Sequence, residues 1–520
     1  MNTTGGELPR GWAQAELQAV VDVLDGDRVP VNAKQRSGRV GSVPYYGATG
    51  QVGWIDDFLF DETLVLLGED GAPFFDKTRH VAYVVSGKSW VNNHAHVLRA
   101  ASGISSSLLS HHLNVVDYHA FVSGTTRWKL NQAPMRRILL RIPPASEQSR
   151  IADALDELMS DLDAGVAALD WVKAKLALYR ASVLKAAVDG SLTAEWRAQH
   201  PHLEPASILL ERILVERRRR WEEEQFAKFK AKGHEPPKNW KPKYKEPVVP
   251  DANKLPSLPE GWRWATVDQL LESPIVNGIS VRGSDEPPGV PSLRLSAMSG
   301  HGFDYSERRY LPLKPDDVDD LWIRAGDFFV SRGNGSKHLV GRGTIAQKPP
   351  KPIIFPDTMM RLRLLDCGMS PRWISEIWGS GLIRKQVERI AKTTAGIWKI
   401  AQPDLANITV PLPPVDEQAA ALETLDDQLS VVDHVEAAVE AKLKSAQSLR
   451  QAILRHAFTG QLVPQDPNDE PASELLKRIA AEREARAREA VTARLGSKRV
   501  ASTRRQRRSE VQPPLSSALE

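Results

Sequence analysis

Residues 143–192 read PPASEQSRIADALDELMSDLDAGVAALDWVKAKLALYRASVLKAAVDGSL, and this stretch returns in altered form as residues 413–462. From Trp128 to Leu192 a fixed offset of 270 aligns roughly 19 identical residues, far above chance for a single register. A shorter motif precedes each copy, LPRGW at residues 8–12 and LPEGW at residues 258–262. The chain therefore contains one frame twice, and the frame encloses two inserts with little similarity to each other.

The frame is predicted to be helical, with a coiled-coil seam. Apolar residues recur every seven positions, and a second row at Ile151, Leu158, Val172 and Tyr179 keeps the same step. The main seam residues are Leu155, Leu162, Leu169, Leu176 and Val183 in the first copy and Leu425, Val432, Val439, Ala446 and Ile453 in the second.

Helix ends are marked at both sides of this seam. Ser146 is a candidate N-cap, and Gly190 and Gly460 stand where a C-terminal cap should end each helix. A helix over residues 151–187 is about 55 Å long. Its apolar seam is too long to be buried against one insert domain alone. We expect the two helices to pack on each other as an antiparallel coiled coil, which relates the copies by an approximate two-fold axis. Packing on the helix's own domain, or on a partner protein, is the alternative.

The expected fold class is α+β, with two globular mixed α/β domains separated by the pair of long helices. Short apolar runs such as residues 81–85 and many glycine turns predict strands in the inserts. The expected regions are residues 8–142 (first domain), 143–222 (first helical region), 223–257 (basic, proline-rich connector), 258–412 (second domain), 413–494 (second helical region) and 495–520 (disordered basic tail).

The composition of this 520-residue chain predicts a multi-domain protein of the cytoplasm. It has one cysteine, Cys367, no apolar run of membrane-spanning length and no signal-peptide pattern at the start. The formal net charge is only +4, but basic residues cluster at residues 217–220, in the connector and in the tail. Such clusters indicate a polyanionic partner, although a solvated helix end is an ordinary alternative.

Catalytic and metal motifs are not found in the sequence. No GxxxxGK[ST] phosphate-binding loop is present, and the glycines at residues 333–343 lack the setting of a dinucleotide site. His94 and His96 have no third ligand at a telling spacing, so we predict no metal site. We therefore expect a binding protein without catalytic residues.

The order of these motifs resembles the specificity subunit of type I restriction–modification systems. The resemblance rests on the LPxGW openings, the PPxxEQ helix entries at Pro143 and Pro413, and the LxxxxxGxL helix exits that end at Leu192 and Leu462. YYGATG at residues 45–50 and GEDG at residues 68–71 are similar to one type of target-recognition domain in that family. The similarity covers about residues 8–490, and the basic tail lies outside it.

This resemblance implies a DNA-recognition subunit that is not itself an enzyme. In such a family each insert is a target-recognition domain reading one half of a split, asymmetric target in double-stranded DNA, and the coiled coil sets the spacing. Two methyltransferase (modification) subunits and two restriction/translocase subunits are the implied partners, without any membrane. S-adenosylmethionine, ATP and magnesium are expected on those partners, and no cofactor on this chain.

We predict that polar and aromatic residues of the inserts contact DNA. The candidates are Tyr45, Tyr46, Thr49, Arg127 and Lys129 in the first domain, and Arg294, Arg332, Asn334, Ser336, Lys337 and Lys399 in the second. Lys129 and Lys399 are equivalent in the repeat, so a shared phosphate-binding role is the preferred hypothesis for them; a lysine stem packed beside the preceding tryptophan is the alternative. A stand-alone bivalent DNA-binding regulator and a coiled-coil scaffold that does not bind DNA remain as alternative functions.

Overall fold

The computed structural model describes residues 7–76, 78–300, 302–394 and 396–509. The chain forms two compact units, one of Met1–Asp170 with Glu440–Glu520 and one of Trp171–Val439. Each unit holds one insert together with helical segments of both frame copies, and the expected α+β class with two long helices is confirmed. No helix among the described residues is long and apolar enough to cross a membrane.

The frame supplies five helices, and the inserts supply the strands and the shorter helices. The frame helices are α5 (Ala145–Asp189), α6 (Ala194–Gln199), α7 (Ala206–Ala231), α12 (Val415–Phe458) and α13 (Ala472–Ser509). The first insert region contains β1 (Ala13–Glu16), α1 (Leu17–Val20), β2 (Val21–Val23), α2 (Ala33–Ser37), β3 (Val43–Gly47), β4 (Gly50–Ile55), β5 (Phe60–Asp61), β6 (Leu64–Gly68), β7 (Ala82–Val85), β8 (Lys88–Val91), β9 (Ala95–Ala100), α3 (Ser106–Leu113), β10 (Val122–Ser123), β11 (Lys129–Leu130), α4 (Gln132–Arg136) and β12 (Leu139–Ile142).

The second insert region is also rich in short strands. It contains β13 (Arg263–Thr266), α8 (Val267–Leu270), β14 (Val276–Asn277), β15 (Val290–Leu293), β16 (Met298–Ser299), β17 (Gly302–Phe303), β18 (Arg308–Leu311), β19 (Phe328–Ser331), β20 (Gly333–Asn334), β21 (Gly343–Ile345), β22 (Met359–Leu362), α9 (Pro371–Ile377), α10 (Gly381–Ile390), β23 (Lys392–Thr394), β24 (Ile397–Lys399), α11 (Gln402–Ala406) and β25 (Thr409–Leu412).

Each domain is closed by an antiparallel pair of its first and last strands. In the first domain β1 pairs with β12, and Ala13 lies opposite Ile142. In the second, β13 pairs with β25, and Arg263 lies opposite Leu412. These registers differ by the same two offsets that relate the sequence copies, so the repeat extends into the base of both domains.

Between these closing pairs the two domains differ. The first has two four-stranded sheets, in the orders β4-β3-β8-β5 and β2-β9-β6-β7. The second has one four-stranded sheet, β14-β22-β19-β21, and a three-stranded sheet, β20-β24-β23. The apolar strand β6 is buried along its whole length in one, as is β19 in the other, because each lies inside its sheet with side chains packed on both faces.

The long helices α5 and α12 run antiparallel within each unit. In the first unit Asp163 pairs with Arg450, and in the second Arg180 pairs with Asp433. The seam residues Leu155, Val183, Leu425, Val432 and Val439 are buried. The remaining seam residues, Leu162, Leu169, Leu176, Ala446 and Ile453, are partly buried.

The second apolar row agrees with the prediction at Ile151, which is buried, and at Val172, which is partly buried, but not at its other two residues. Leu158 and Tyr179 are exposed, whereas Met159 is buried. Ser146 is also not the N-cap: the helix begins at Ala145, and the Ser146 hydroxyl instead contacts Asp469.

Two of the predicted boundaries change. Helix α7 continues to Ala231, through the first nine residues assigned to the connector, 223–231. Helix α13 continues to Ser509, so the prediction of disorder from residue 495 is wrong up to that point. Residues 495–509 include five arginines, whose high helix propensity favours continuation. Residues 510–520 of the predicted tail lie outside the described residues.

The repeated motifs contact one another. The Trp12 indole donates a hydrogen bond to Glu147 (3.1 Å), and the Trp262 indole donates one to Glu417 (2.9 Å). Thus the tryptophan of each LPxGW opening is fixed to the glutamate of the PPxxEQ entry in its own copy. Both carboxylates are buried, so these hydrogen bonds offset part of the cost of removing a charge from water.

The exit glycines join opposite copies. Gly190 has φ 75° and Gly460 has φ 69°, the left-handed conformation that glycine adopts most easily. A Cβ atom at Gly190 would lie 2.5 Å from Pro259, and one at Gly460 would lie 2.7 Å from Pro9. Each helix exit therefore packs on the opening motif of the other copy, which requires glycine for contact as well as for conformation.

Candidate nucleic-acid interface

The aromatic pair at the start of YYGATG has two different environments. Tyr45 is buried, and its hydroxyl donates to the Val31 carbonyl (3.0 Å) while the Arg36 guanidinium lies over its ring. The prediction that Tyr45 contacts DNA is therefore wrong, because β3 is an interior strand and turns this side chain to the core. Tyr46, on the opposite face, is partly buried beside Tyr83, with ring centroids 6.0 Å apart.

The two glycine-rich segments of the first domain meet. Thr49 is exposed at the turn between β3 and β4, and the Ala48 carbonyl lies close against Gly68. Arg127 lies beside the following turn, and its Nε is 2.7 Å from Asp70. Thr49, Arg127 and Lys129 thus lie on adjoining turns of one domain, as a shared binding surface requires.

Lys129 is not a free cation. Its ammonium group is 3.4 Å from Glu69, whose carboxylate is largely buried and also accepts a hydrogen bond from Arg28 at 2.7 Å. About half of the Lys129 side chain remains exposed (49%), so it can still face a phosphate. Any such contact competes with Glu69.

Asp25, Glu69 and His96 have the spacing of a possible metal site, with one ligand atom from each within 4.8 Å of the others. The His96 Nε2 lies 2.9 Å from the Leu130 carbonyl oxygen, which can only accept, so this nitrogen carries hydrogen. Arg28 forms an ion pair with Glu69, so the guanidinium supplies the positive charge that a metal ion would bring. Burial by itself would raise the pKa of Asp25, but hydrogen bonding and the charge of His96 outweigh it and lower the pKa. The cluster is better explained as a structural ion network.

The outer face of β4 presents polar and aromatic side chains that are not among the predicted DNA contacts. Gln51 and Trp54 are exposed there, and Trp54 is 56% exposed. Arg39, whose guanidinium lies over the Trp90 ring, forms an ion pair with Asp56 at the end of the same hairpin. Trp54 can be recognised as a surface residue only when the orientation of β4 in its sheet is known. The order of polar and apolar residues around the neighbouring glycines does not show which face of the strand is exposed.

In the second domain five of the six candidates come together. Strand β24 pairs with β20, which places Lys399 opposite Gly333 and Trp398 opposite Asn334. The Lys337 ammonium lies 5.0 Å from the centre of the Trp398 ring. Arg332 joins the same sheet through its carbonyl, which accepts from Ile400, and Ser336 donates its backbone N–H to the Asn334 side chain.

The sixth candidate, Arg294, is held elsewhere. Its guanidinium forms an ion pair with Asp285 and donates to the Arg308 carbonyl. Lys399, by contrast, is exposed and has no acidic side chain at ion-pair distance within the described part of the chain. The two repeat-equivalent lysines therefore occupy equivalent hairpins with different electrostatic surroundings.

The arginine run at residues 217–220 is not a free polyanion site. Each of its four guanidinium groups lies within 3.4 Å of a carboxylate, on α7 itself or on the base of the second domain. The pairs are Arg217 with Asp268, Arg218 with Glu222, Arg219 with Glu216 and Arg220 with Glu216. Three of these pairs lie within α7, and the Arg217 pair joins α7 to α8.

The sequence is similar to known proteins of one kind. Residues 9–168 match the model of the type I restriction modification DNA specificity domain, a span that includes the first domain and the first half of α5. The chain is similar to the type I restriction–modification specificity subunits. It is 25% identical to the type I restriction enzyme EcoKI specificity subunit of Escherichia coli K12, over 93% of this chain and 97% of that relative.

Other specificity subunits align over similar lengths. The EcoDI specificity subunit of Escherichia coli is 23% identical over 93% of this chain and 97% of its own. A chain in a solved structure of a type I restriction–modification system, described for complex assembly and conformational transition, has a TM-score of 0.53 and 17% identity. It covers 88% of this chain and 100% of its own length, so the two chains share a fold.

Proposed function

We propose that this chain is the DNA-recognition subunit of a type I restriction–modification complex and that it reads a bipartite, asymmetric target. The observation that carries the proposal is one frame, duplicated with all its interlocking contacts, around two domains of different sheet topology. Two unlike readers on a repeated base would select two unlike half-sites. The match of residues 9–168 to the DNA specificity domain model supports DNA as the ligand.

The two reading surfaces are proposed to be the basic, partly aromatic hairpins of each domain. In the first, Thr49, Arg127 and Lys129 lie with the exposed face of β4; in the second, the surface is the β20–β24 sheet with Lys337. Phosphate contacts from lysine and arginine position a protein on duplex DNA, while side chains with amide or hydroxyl groups can read base edges. Asn334 and Gln51 have the donor–acceptor pair suited to adenine.

The duplicated frame is proposed to dock two methyltransferase subunits, with two restriction/translocase subunits completing the complex. Near-equivalent frame segments would present equivalent surfaces to two copies of one partner. S-adenosylmethionine, ATP and magnesium would act on those partners, and this chain would contribute specificity and assembly without catalytic groups. A stand-alone regulator or a scaffold that does not bind DNA is disfavoured by the family match.

Methylome sequencing of the host, with and without this gene, tests the proposal. We expect one split adenine-methylated motif to disappear from the deletion strain and to return on complementation. Alanine substitution of Lys399 and Lys337 should weaken methylation of that motif, while a deletion strain with unchanged adenine methylation would refute the function.

The paired helices are proposed to set the spacing between half-sites. Since Asp163 pairs with Arg450 and Arg180 with Asp433, residue numbers of facing positions sum to a constant, and position 165 faces position 448. Insertion of one heptad at both places adds about 10 Å of helix, up to about three base pairs. The methylated motif should keep both half-sites and gain spacer. An insertion at one place only is the control, because it breaks the register and should abolish methylation.

A further inference from the structure

A lysine-rich segment follows the paired arginines and is not used by either recognition domain. Residues 226–245, here the lysine arm, contain seven lysines and one glutamate. All seven lysines are exposed. Two of them, Lys228 and Lys241, pair with Glu224 and Glu222. The other five (Lys230, Lys232, Lys238, Lys243 and Lys245) have no carboxylate at ion-pair distance in the described residues.

The arm is folded, although its composition predicts a connector. After α7 ends, the chain returns along the helix and Trp240 stacks on Trp221, with ring centroids 5.8 Å apart. Tyr244 meets the same Trp221 ring edge-on at 5.3 Å, and Phe229 meets Trp240 at 6.1 Å. A plain linker needs no such cluster, so the aromatic contacts hold the lysines in a fixed arrangement before any partner arrives.

The base of the arm is anchored to the second domain. Arg217 binds Asp268, which also accepts from the Val248 backbone N–H, and Arg220 lies 3.2 Å from Glu272. From Arg220 to Lys232 the helix rises about 18 Å, the length of about five base pairs. The lysines at the end of α7 therefore stand clear of the anchored base, while Lys241, Lys243 and Lys245 lie on the segment that returns to Trp221.

We propose that the lysine arm binds the phosphate backbone of duplex DNA, independently of sequence. Unpaired ammonium groups bind phosphates as point charges and release condensed counterions when they do so. A protein partner is less well matched, since protein interfaces have an apolar centre depleted of lysine. Phe226 is the one large apolar side chain that the described part of the arm exposes.

The test uses the full-length chain and a duplex of about 40 base pairs of arbitrary sequence. In the test variant the five unpaired lysines are replaced by glutamine, and the matched control replaces the same five by arginine. Association is measured by fluorescence anisotropy as a function of salt. Each lost phosphate contact lowers the salt slope by about 0.9, so the glutamine variant should lose between about 2 and 4.5 in slope, whereas the arginine control should keep the parental slope.

A glutamine variant with the parental slope would overturn the proposal, provided that circular dichroism shows the parental helix content. Loss of copurification with modification or restriction subunits, at unchanged DNA affinity, would also overturn it and assign the arm to a protein partner. Because the duplex carries no chosen target, failure here leaves the methylome test of specificity unaffected. Binding of this duplex through the lysine arm would likewise not establish that the chain recognises a specific target.

Discussion

Replacement of Lys399 by alanine is expected to change DNA binding more than the same replacement of Lys129. The two lysines are equivalent in the repeat and lie in equivalent hairpins. They differ in their neighbours, because the Lys129 ammonium is 3.4 Å from Glu69 while Lys399 has no acidic neighbour in the described residues. A phosphate at Lys129 must therefore compete with a charge already present.

The magnitude follows from counterion release. One full phosphate contact contributes about 0.9 to the slope of log K against log salt concentration. Lys399→Ala should lower the salt slope by about 0.9. The affinity of this variant should therefore fall about 3.5-fold less than that of the parent between 50 and 200 mM salt. Lys129→Ala should remove clearly less, since an ion pair at this separation is worth about 1 kcal/mol even in a water-like dielectric and must be given up on binding.

The assay is a salt titration of the purified complex on a duplex that carries its methylated motif, read by fluorescence anisotropy. Lys399→Arg is the matched control because it keeps the charge, and it should retain the parental slope. Equal decreases for the two alanine variants would show that Glu69 does not matter. An unchanged slope for Lys399→Ala would refute the phosphate role itself.

Four further substitutions probe the frame, and local hydrogen exchange in the relevant unit measures each of them. Trp262→Phe removes a donor from the buried Glu417 carboxylate and should destabilise the second unit by about 1.5–3 kcal/mol; unchanged protection would contradict the role of this hydrogen bond. Gly460→Ala should lower the free energy of unfolding by about 1–2 kcal/mol, because Gly460 has a positive φ. Gly165→Ala should instead stabilise α5 by about 0.5–1 kcal/mol, because an added Cβ at that position contacts nothing. Burial raises the pKa of Glu147, so this group favours the fold when protonated, and that contribution is lost as pH rises through its folded-state pKa. Glu147→Gln should therefore gain protection relative to the parent as pH rises, and a difference independent of pH would contradict this assignment.

The frame could be predicted from the sequence because its determinants are local or duplicated. A heptad row, a proline-proline entry and an exit glycine are short patterns that specify a helix and its ends wherever they occur. Their second appearance at a constant offset excludes coincidence. The glutamates of the two PPxxEQ entries could be seen as equivalent, but their hydrogen bonds to Trp12 and Trp262 could not, since more than 130 residues separate each pair.

The reading surfaces depended on contacts distant in sequence. Tyr45 has the residue type of a DNA contact, yet its position inside a four-stranded sheet turns it to the core. Arg127 and Lys129 were recognised as candidates, but their acidic partners lie about 60 residues earlier in the chain. Trp54 was missed because only the sheet pairing shows that its face is open.

The sequence alone determined that this protein has one helical frame used twice and two different readers, because periodicity and internal repetition are properties of the chain. Tertiary structure decided which charges are available to DNA. In a run of basic residues the arginines at 217–220 are neutralised by carboxylates, while the lysines of the arm are left exposed on an aromatic support. Coulomb attraction acts through space and not along the chain, so only the folded arrangement separates a structural cation from a free one.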